Sequence, residues 1–142
     1  MDVSPTVLFV LGLVLAAEFV NGWTDAHNAI ATVVSTRVLS PARALLLATG
    51  FNILGTMSGT AVAATIGKGI VSPDVITVYT VGAAMVGIVW WSTLAWYYGL
   101  PTSESHALVS GLAGAALATA GPNALLLEGW SKVGIGLLFS TF

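Results

Sequence analysis

Three long runs of this sequence carry no charged side chain, and they constrain the fold more than any other feature. The runs are Ala44 to Gly67, Val75 to Ser103 and Ser105 to Leu127. About 20 apolar residues suffice for a helix to cross a bilayer, and a chain of 142 residues lacks the outer layer of helices that would hide three such segments from water. The sequence therefore predicts an all-α, multi-pass protein of the cell membrane, with lipid around most of its surface.

Composition supports the same class and excludes several others. Hydrophobic residues make up 56% of the chain and charged residues only 7%, against about 25% charged residues in soluble domains. The net charge is −2 and no basic stripe is present, so a nucleic-acid partner is not expected. Because the chain has no cysteine, disulfides and thiolate metal sites are excluded.

The order of apolar and polar segments predicts broken transmembrane helices and a candidate re-entrant helix. A first helix is expected to break at a polar stretch and then resume, and the short helix after the second break is the re-entrant candidate. The predicted helical segments are Pro5 to Val20, Ala26 to Val34, Ala44 to Ile66, Val75 to Tyr98, Ala107 to Ala120 and Trp130 to Phe142. The last of these is too short to cross. Two arginines, Arg37 and Arg43, place the loop of residues 35–43 in the cytoplasm by the positive-inside rule.

The first polar segment, Asn21 to Asn28, has the chemistry of an ion site. If a helix restarts at Thr24, its hydroxyl caps the new N-terminus, and Asp25 and Asn28 share one face. A carboxylate beside a carboxamide offers hard oxygen ligands that suit Na⁺, and free backbone N–H groups at the same helix start suit an anion. The alternative is a loop between two short helices whose polar groups lie in water.

The second polar segment, Pro101 to His106, has the pattern of an anion-binding helix start. Ser103 is the predicted N-cap, Glu104 falls in the first turn, and Ser105 and His106 add donors near the positive end of the helix. The alternative is structural: Glu104 balances the helix dipole, and His106 is a donor at the membrane interface.

Both segments resemble signatures of the PiT family of inorganic phosphate transporters. Asn21 to Thr32 resembles the family motif in which a glycine is followed by an aspartate and then by Asn-Ala, and Pro101 to Ala107 resembles its Pro-x-Ser-x-Thr-His motif. Further segments look like family sequence in the family order, so the resemblance covers nearly the whole chain: Ser35 to Arg37, Leu39 to Pro41, Gly59 to Ala63 and Thr65 to Val71. The departures are Thr24, His27, Ser105 in place of threonine, and the carboxylate of Glu104.

The resemblance implies cation-coupled transport of inorganic phosphate, with Na⁺ or H⁺ as the coupling ion and no other cofactor. Carried over by position, Asp25 and Asn28 are expected cation ligands, and Ser103 and Ser105 are expected partners of phosphate or the cation. The donor chemistry of the two helix starts adds other residues. The resulting phosphate-binding set is Thr24, Asn28, Ser103, Ser105 and His106, and the set for sodium or proton coupling is Asp25, Asn28 and Glu104.

The family is built from two inverted repeats, whereas this chain carries one copy of each motif. Residues 1–142 are therefore interpreted as a single transmembrane repeat unit, the N-terminal half of a two-repeat transporter with an incomplete last helix. Its expected partner is a second repeat or an oppositely oriented copy of itself.

Two other functions are compatible with parts of the sequence. Sulfate is an alternative substrate, because hydroxyls and helix starts do not by themselves specify phosphate. A membrane packing subunit without transport activity would require both polar segments to be solvent loops. An enzyme is not expected, because the neighbouring Ser105 and His106 point to different sides of one helix and cannot form a nucleophile and base pair of an intramembrane hydrolase.

Overall fold

The chain folds into α-helices joined by short turns. The structure is a computed structural model that describes residues 4–59 and 69–141. Its helices in that part of the chain are α1 (Pro5–Ser35), α2 (Pro41–Ser58), α3 (Val78–Tyr97), α4 (Glu104–Ala120) and α5 (Leu127–Thr141), with 3-10 turns at Pro73–Val75 and Pro122–Ala124. The predicted all-α class is confirmed. The remainder of the second predicted helix, from Thr60 to Ile66, lies outside the described residues.

The first helix, α1, is continuous over 31 residues, so the predicted break at Asn21 to Asp25 is wrong. The sequence from Thr6 to Ser40 contains no proline, and Gly22 weakens a helix by only about 1 kcal/mol relative to alanine. The polar side chains bond along the helix instead of ending it. The hydroxyl of Thr24 donates to the backbone carbonyl of Val20 at 2.9 Å, so it does not cap a new helix start.

Helices α1 and α3 lie side by side and run in the same direction. Near the start of both, a Cβ placed on Gly82 would lie 3.0 Å from the Val10 side chain. Near the end of α3, the rings of Trp23 and Trp96 are 4.7 Å apart. The first two thirds of α1 therefore run beside α3, and residues 25–35 extend past the end of α3.

Helix α4 returns antiparallel to α3, and the two form a helical hairpin. In its middle, a Cβ on Gly111 would stand 3.2 Å from the Ala84 carbonyl oxygen and 3.3 Å from the Ile88 side chain, so the backbones approach closely there. At the end of the hairpin opposite the 98–103 turn, backbone hydrogen bonds join the segment before α3 to the segment after α4. Ser72 N–H donates to the Ala124 carbonyl at 2.8 Å, and Leu126 N–H donates to the Ile70 carbonyl at 3.0 Å.

Helix α2 runs back along α1, and the two helices line a common groove between Glu18 and Ala29 of α1. It begins at Pro41, three residues before the predicted start at Ala44, because proline at the first helical position needs no hydrogen-bond acceptor for its nitrogen. The connection between α1 and α2 is short. It turns at Arg37, which adopts a left-handed backbone with φ of 58°.

The surface of the described helices is apolar. Phe9, Phe19, Leu46, Phe51 and Phe139 are each more than 60% exposed. Exposing such side chains to water costs about 25 cal/mol of free energy per Å² of apolar surface. Contact with lipid avoids this cost. Two described helices, α1 and α3, are long and apolar enough to cross a membrane. The core is small and lies where α1, α3 and α4 meet, around Ala17, Ala84 and Ala116.

Candidate functional site

The tip of the α3–α4 hairpin, residues 98–103, forms the second predicted break. Gly99 has φ of 66°, and its N–H donates to the Trp96 carbonyl at 3.0 Å, which ends α3 in the way glycine commonly ends helices. Ser103 occupies the N-cap position of α4 with an extended backbone, and Glu104 lies in the first turn, as predicted. The Ser103 side chain makes no capping hydrogen bond.

The tip meets α1 at Thr24. The Thr24 hydroxyl lies 3.5 Å from Oε1 of Glu104, across 80 residues of sequence. Thr24 is 4% exposed. The two polar segments predicted to share a site are therefore adjacent in the structure.

A cleft of about 390 Å³ lies between α1 and the hairpin tip, and it is called the hairpin cleft below. On the α1 side it contains Asp25 and Asn28, and the Asn28 amide donates to Oδ1 of Asp25 at 3.3 Å. On the tip side it contains Thr102, which lies within the second polar motif but is not among the predicted ligands. The full lining is Thr24, Asp25, Asn28, Trp96, Gly99, Leu100, Pro101 and Thr102.

The predicted phosphate-binding residues do not all line this cleft. Ser103 and His106 line a separate cleft of about 530 Å³ on the other side of the tip, beside Trp90 and Trp91. Thr102 lines both clefts. The Ser105 side chain is exposed in the first turn of α4. Asn28 therefore does not share a cleft with Ser103 and His106, whereas Pro101 and Thr102 of the tip line both clefts.

A third cleft, the α1–α2 groove, lies on the other side of α1 and has a volume of about 540 Å³. Asp25 lines this groove as well as the hairpin cleft. Asn21, from the same predicted polar segment, also lines the groove. Sequence analysis missed its remaining polar residues, which are Glu18 on α1 and Thr49, Asn52 and Thr56 on α2. A signal was present, since positions 49, 52 and 56 have the three- and four-residue spacing of a helix face within an apolar run.

The hairpin cleft combines two kinds of ligand chemistry. The carboxylate of Asp25 and the amide oxygen of Asn28 are hard oxygen ligands, suited to Na⁺ or, at the carboxylate, to a proton. On the tip side the Thr102 hydroxyl is a hydrogen-bond donor suited to an oxyanion. The N–H groups of Gly99 and Leu100 already donate to α3 carbonyls. A cation and an oxyanion bound together would offset each other's charge, which lowers the cost of holding either one away from bulk water.

Comparison with known proteins gives one consistent result. The sequence model of the phosphate transporter family matches residues 21–142. A probable low-affinity inorganic phosphate transporter of Bacillus subtilis (strain 168) is 44% identical over 137 residues, which cover 95% of this chain and 41% of that protein. A protein of the same description from Rhizobium meliloti (strain 1021) is 39% identical over 144 residues, which cover 99% of this chain and 43% of that protein.

A third relative, also described as a probable low-affinity inorganic phosphate transporter, comes from Streptomyces halstedii. It is 47% identical over 121 residues, covering 83% of this chain and 56% of that protein. The chain thus spans roughly half the length of these curated relatives or less. No solved structure matches the chain.

Proposed function

Because this chain belongs to the phosphate transporter family, we propose that the protein carrying it moves inorganic phosphate across the cell membrane, using the junction of α1 and the hairpin tip as its site. The main support for this site is the hairpin cleft, in which Asp25 and Asn28 of the first polar motif lie with Thr102 of the second. The relatives described as phosphate transporters support the substrate.

Transport is proposed to be symport with Na⁺ or H⁺. Asp25 and Asn28 hold the cation, and phosphate lies beside it. Thr102, Ser103, Ser105 and His106 supply donors as the tip adjusts around the anion. A carboxylate that faces the anion also favours phosphate over sulfate, because phosphate at neutral pH retains a hydrogen to donate and sulfate does not.

The proposed depth of the site is near the middle of the bilayer. Thr24 lies about 16 Å along α1 from Ser35 and about 28 Å from Pro5, at 1.5 Å of rise per residue. Arg37 and Arg43 follow α1 closely and belong at the membrane surface. If α1 spans a hydrocarbon core of about 30 Å, the tip therefore meets it well inside that core, and the α3–α4 hairpin is re-entrant.

A second repeat, or an oppositely oriented copy, is proposed to complete a multi-pass carrier. In this chain the polar α1–α2 groove, with Glu18 and Asn52, adjoins exposed apolar surface. Polar side chains in lipid are costly unless they are covered. An inverted repeat would supply the cover and the second wall of the site.

The test is uptake of radiolabelled phosphate by the full-length protein in proteoliposomes, with sodium and proton gradients imposed separately. The expected result is accumulation driven by one of the two gradients and inhibited by excess unlabelled phosphate but not by equal sulfate. Accumulation that follows neither gradient would refute the coupling. Equal inhibition by sulfate would refute the substrate assignment.

A further inference from the structure

Among the α1 polar side chains next to the hairpin tip whose burial the structure describes, Thr24 is the buried one. It is 4% exposed, whereas Asp25 is half-buried and Asn28 is exposed. Although Thr24 borders the hairpin cleft, a side chain this deeply buried presents little surface to a hydrated anion there.

The hydrogen bonds of the Thr24 hydroxyl also favour a structural role. A hydroxyl has one hydrogen to donate. Its two closest acceptors lie within α1, the Val20 carbonyl at 2.9 Å and the Asn21 carbonyl at 3.3 Å. The contact with Glu104 is longer, at 3.5 Å, near the outer limit for a hydrogen bond. Such a contact joins two elements weakly, so it can form and separate during a transport cycle.

We propose that Thr24 and Glu104 form a latch that seats the hairpin tip against α1, and that both are positioning residues rather than ion ligands. The proposal rests on the function proposed above. Seating the tip places Thr102 opposite Asp25 and Asn28, which forms the hairpin cleft. The apparent affinity for phosphate then scales with the fraction of molecules in which the tip is seated.

The first test removes the Thr24 hydroxyl in the full-length transporter. Thr24→Val keeps the side-chain volume, and we expect it to raise KM for phosphate about threefold to tenfold while the maximal rate stays within about twofold. Thr24→Ser keeps the hydroxyl and is expected to restore KM. The control is Thr119→Val, because the Thr119 hydroxyl bonds to the Ala115 carbonyl within α4 at 3.0 Å.

Two results of this first test would overturn the latch. Thr24→Ser with the same KM as Thr24→Val would show that the methyl group or its packing matters, not the hydroxyl. An unchanged KM in Thr24→Val would show that the contact does not position the site.

The second test separates positioning from ion binding at Glu104. Glu104→Gln retains groups that can bond to Thr24, so we expect near-native KM and unchanged coupling to the sodium or proton gradient. Glu104→Ala is expected to raise KM as Thr24→Val does, and the two changes together should add little to either alone. Loss of coupling in Glu104→Gln would instead make Glu104 an ion ligand and overturn the proposal.

The third test measures the contact itself, independently of uptake. Thr24→Cys and Glu104→Cys are combined in the full-length protein after removal of any cysteine outside this cysteine-free chain. A short bifunctional thiol reagent is used because the Glu104 side chain is longer than cysteine. We expect cross-linking that phosphate accelerates, and none when Ser110→Cys, nearly two turns further along α4, replaces Glu104→Cys.

Cross-linking at a rate independent of phosphate, or none at all with both thiols reactive, would refute the latch. Failure of the latch can be distinguished from failure of the proposed transport function. Normal phosphate uptake by the unaltered protein without this cross-link refutes the latch alone, whereas absent uptake with efficient cross-linking refutes the function and leaves the contact in place.

Discussion

Asp25 is the residue at which the clefts on the two sides of α1 meet. Its carboxylate lines the hairpin cleft with Asn28 and Thr102, and it also lines the α1–α2 groove with Asn52. No other charged side chain lines the hairpin cleft within the described part of the chain. Asp25 is therefore the group best placed to balance the charge of a bound cation.

We expect Asp25→Asn to reduce gradient-driven phosphate uptake to background, because the amide keeps the shape of the side chain but removes its negative charge. Uptake is measured in proteoliposomes under sodium and proton gradients. The matched control is Asp74→Asn in the exposed 3-10 turn at Pro73–Val75, which should transport normally. Retained coupling in Asp25→Asn would show that the aspartate is structural.

At the scale of elements, the hairpin of α3 and α4 depends on close backbone contact. A Cβ at Gly111 would crowd the Ala84 carbonyl oxygen at 3.2 Å and the Ile88 side chain at 3.3 Å, so these neighbours would have to shift for a larger residue. Gly114, one turn later in α4, has no described atom within 4 Å of where its Cβ would be. Close contact with α3 therefore explains a glycine at position 111 but not at position 114.

We expect Gly111→Val to lower the stability of the protein by about 1–3 kcal/mol through overpacking, and to impair transport by displacing the tip. Gly114→Val should be neutral or slightly stabilising, because valine forms helix better than glycine. Thermal unfolding in detergent, followed for both variants, is the measurement. Equal loss of stability in the two variants would mean that close helix contact is not the cause.

At the scale of the whole molecule, two surfaces of the described helices are left uncovered by the rest of the described chain. One is the apolar exterior, which lipid can satisfy. The other is the polar lining of the α1–α2 groove, which lipid cannot satisfy. Within residues 4–59 and 69–141, the walls of the hairpin cleft come from α1, α3 and the tip. Under the proposed transport function, alternating access would require a partner that moves against these walls.

We therefore expect residues 1–142 alone, reconstituted at one chain per vesicle, to show no phosphate uptake. Chains joined covalently in pairs, or the full-length protein, should transport. The measurement is uptake per chain across a series of protein-to-lipid ratios. The same uptake per chain in single and paired preparations would contradict the need for a second repeat.

The sequence by itself determined the class of the fold and most of its turns. Uncharged runs required lipid, and the breaks at Gly99 to Ser103 and at Gly121 to Asn123 were readable because glycine and proline act on the backbone locally. The two motifs that meet in the hairpin cleft were also identified. These features depend on neighbours in sequence, which is why local patterns predict them.

Only the tertiary structure decided how those features combine. The segment Asn21 to Asp25 remains helical because its polar side chains bond along α1 and find partners across helices, which no local pattern reveals. The packing of the hairpin also decides that Thr102 shares the hairpin cleft with Asp25, whereas Ser103 and His106 line the separate cleft beside Trp90 and Trp91. The position of Asn52 in the same groove as Asp25 likewise depends on which side of α1 faces α2. The packing of the helices sets that side.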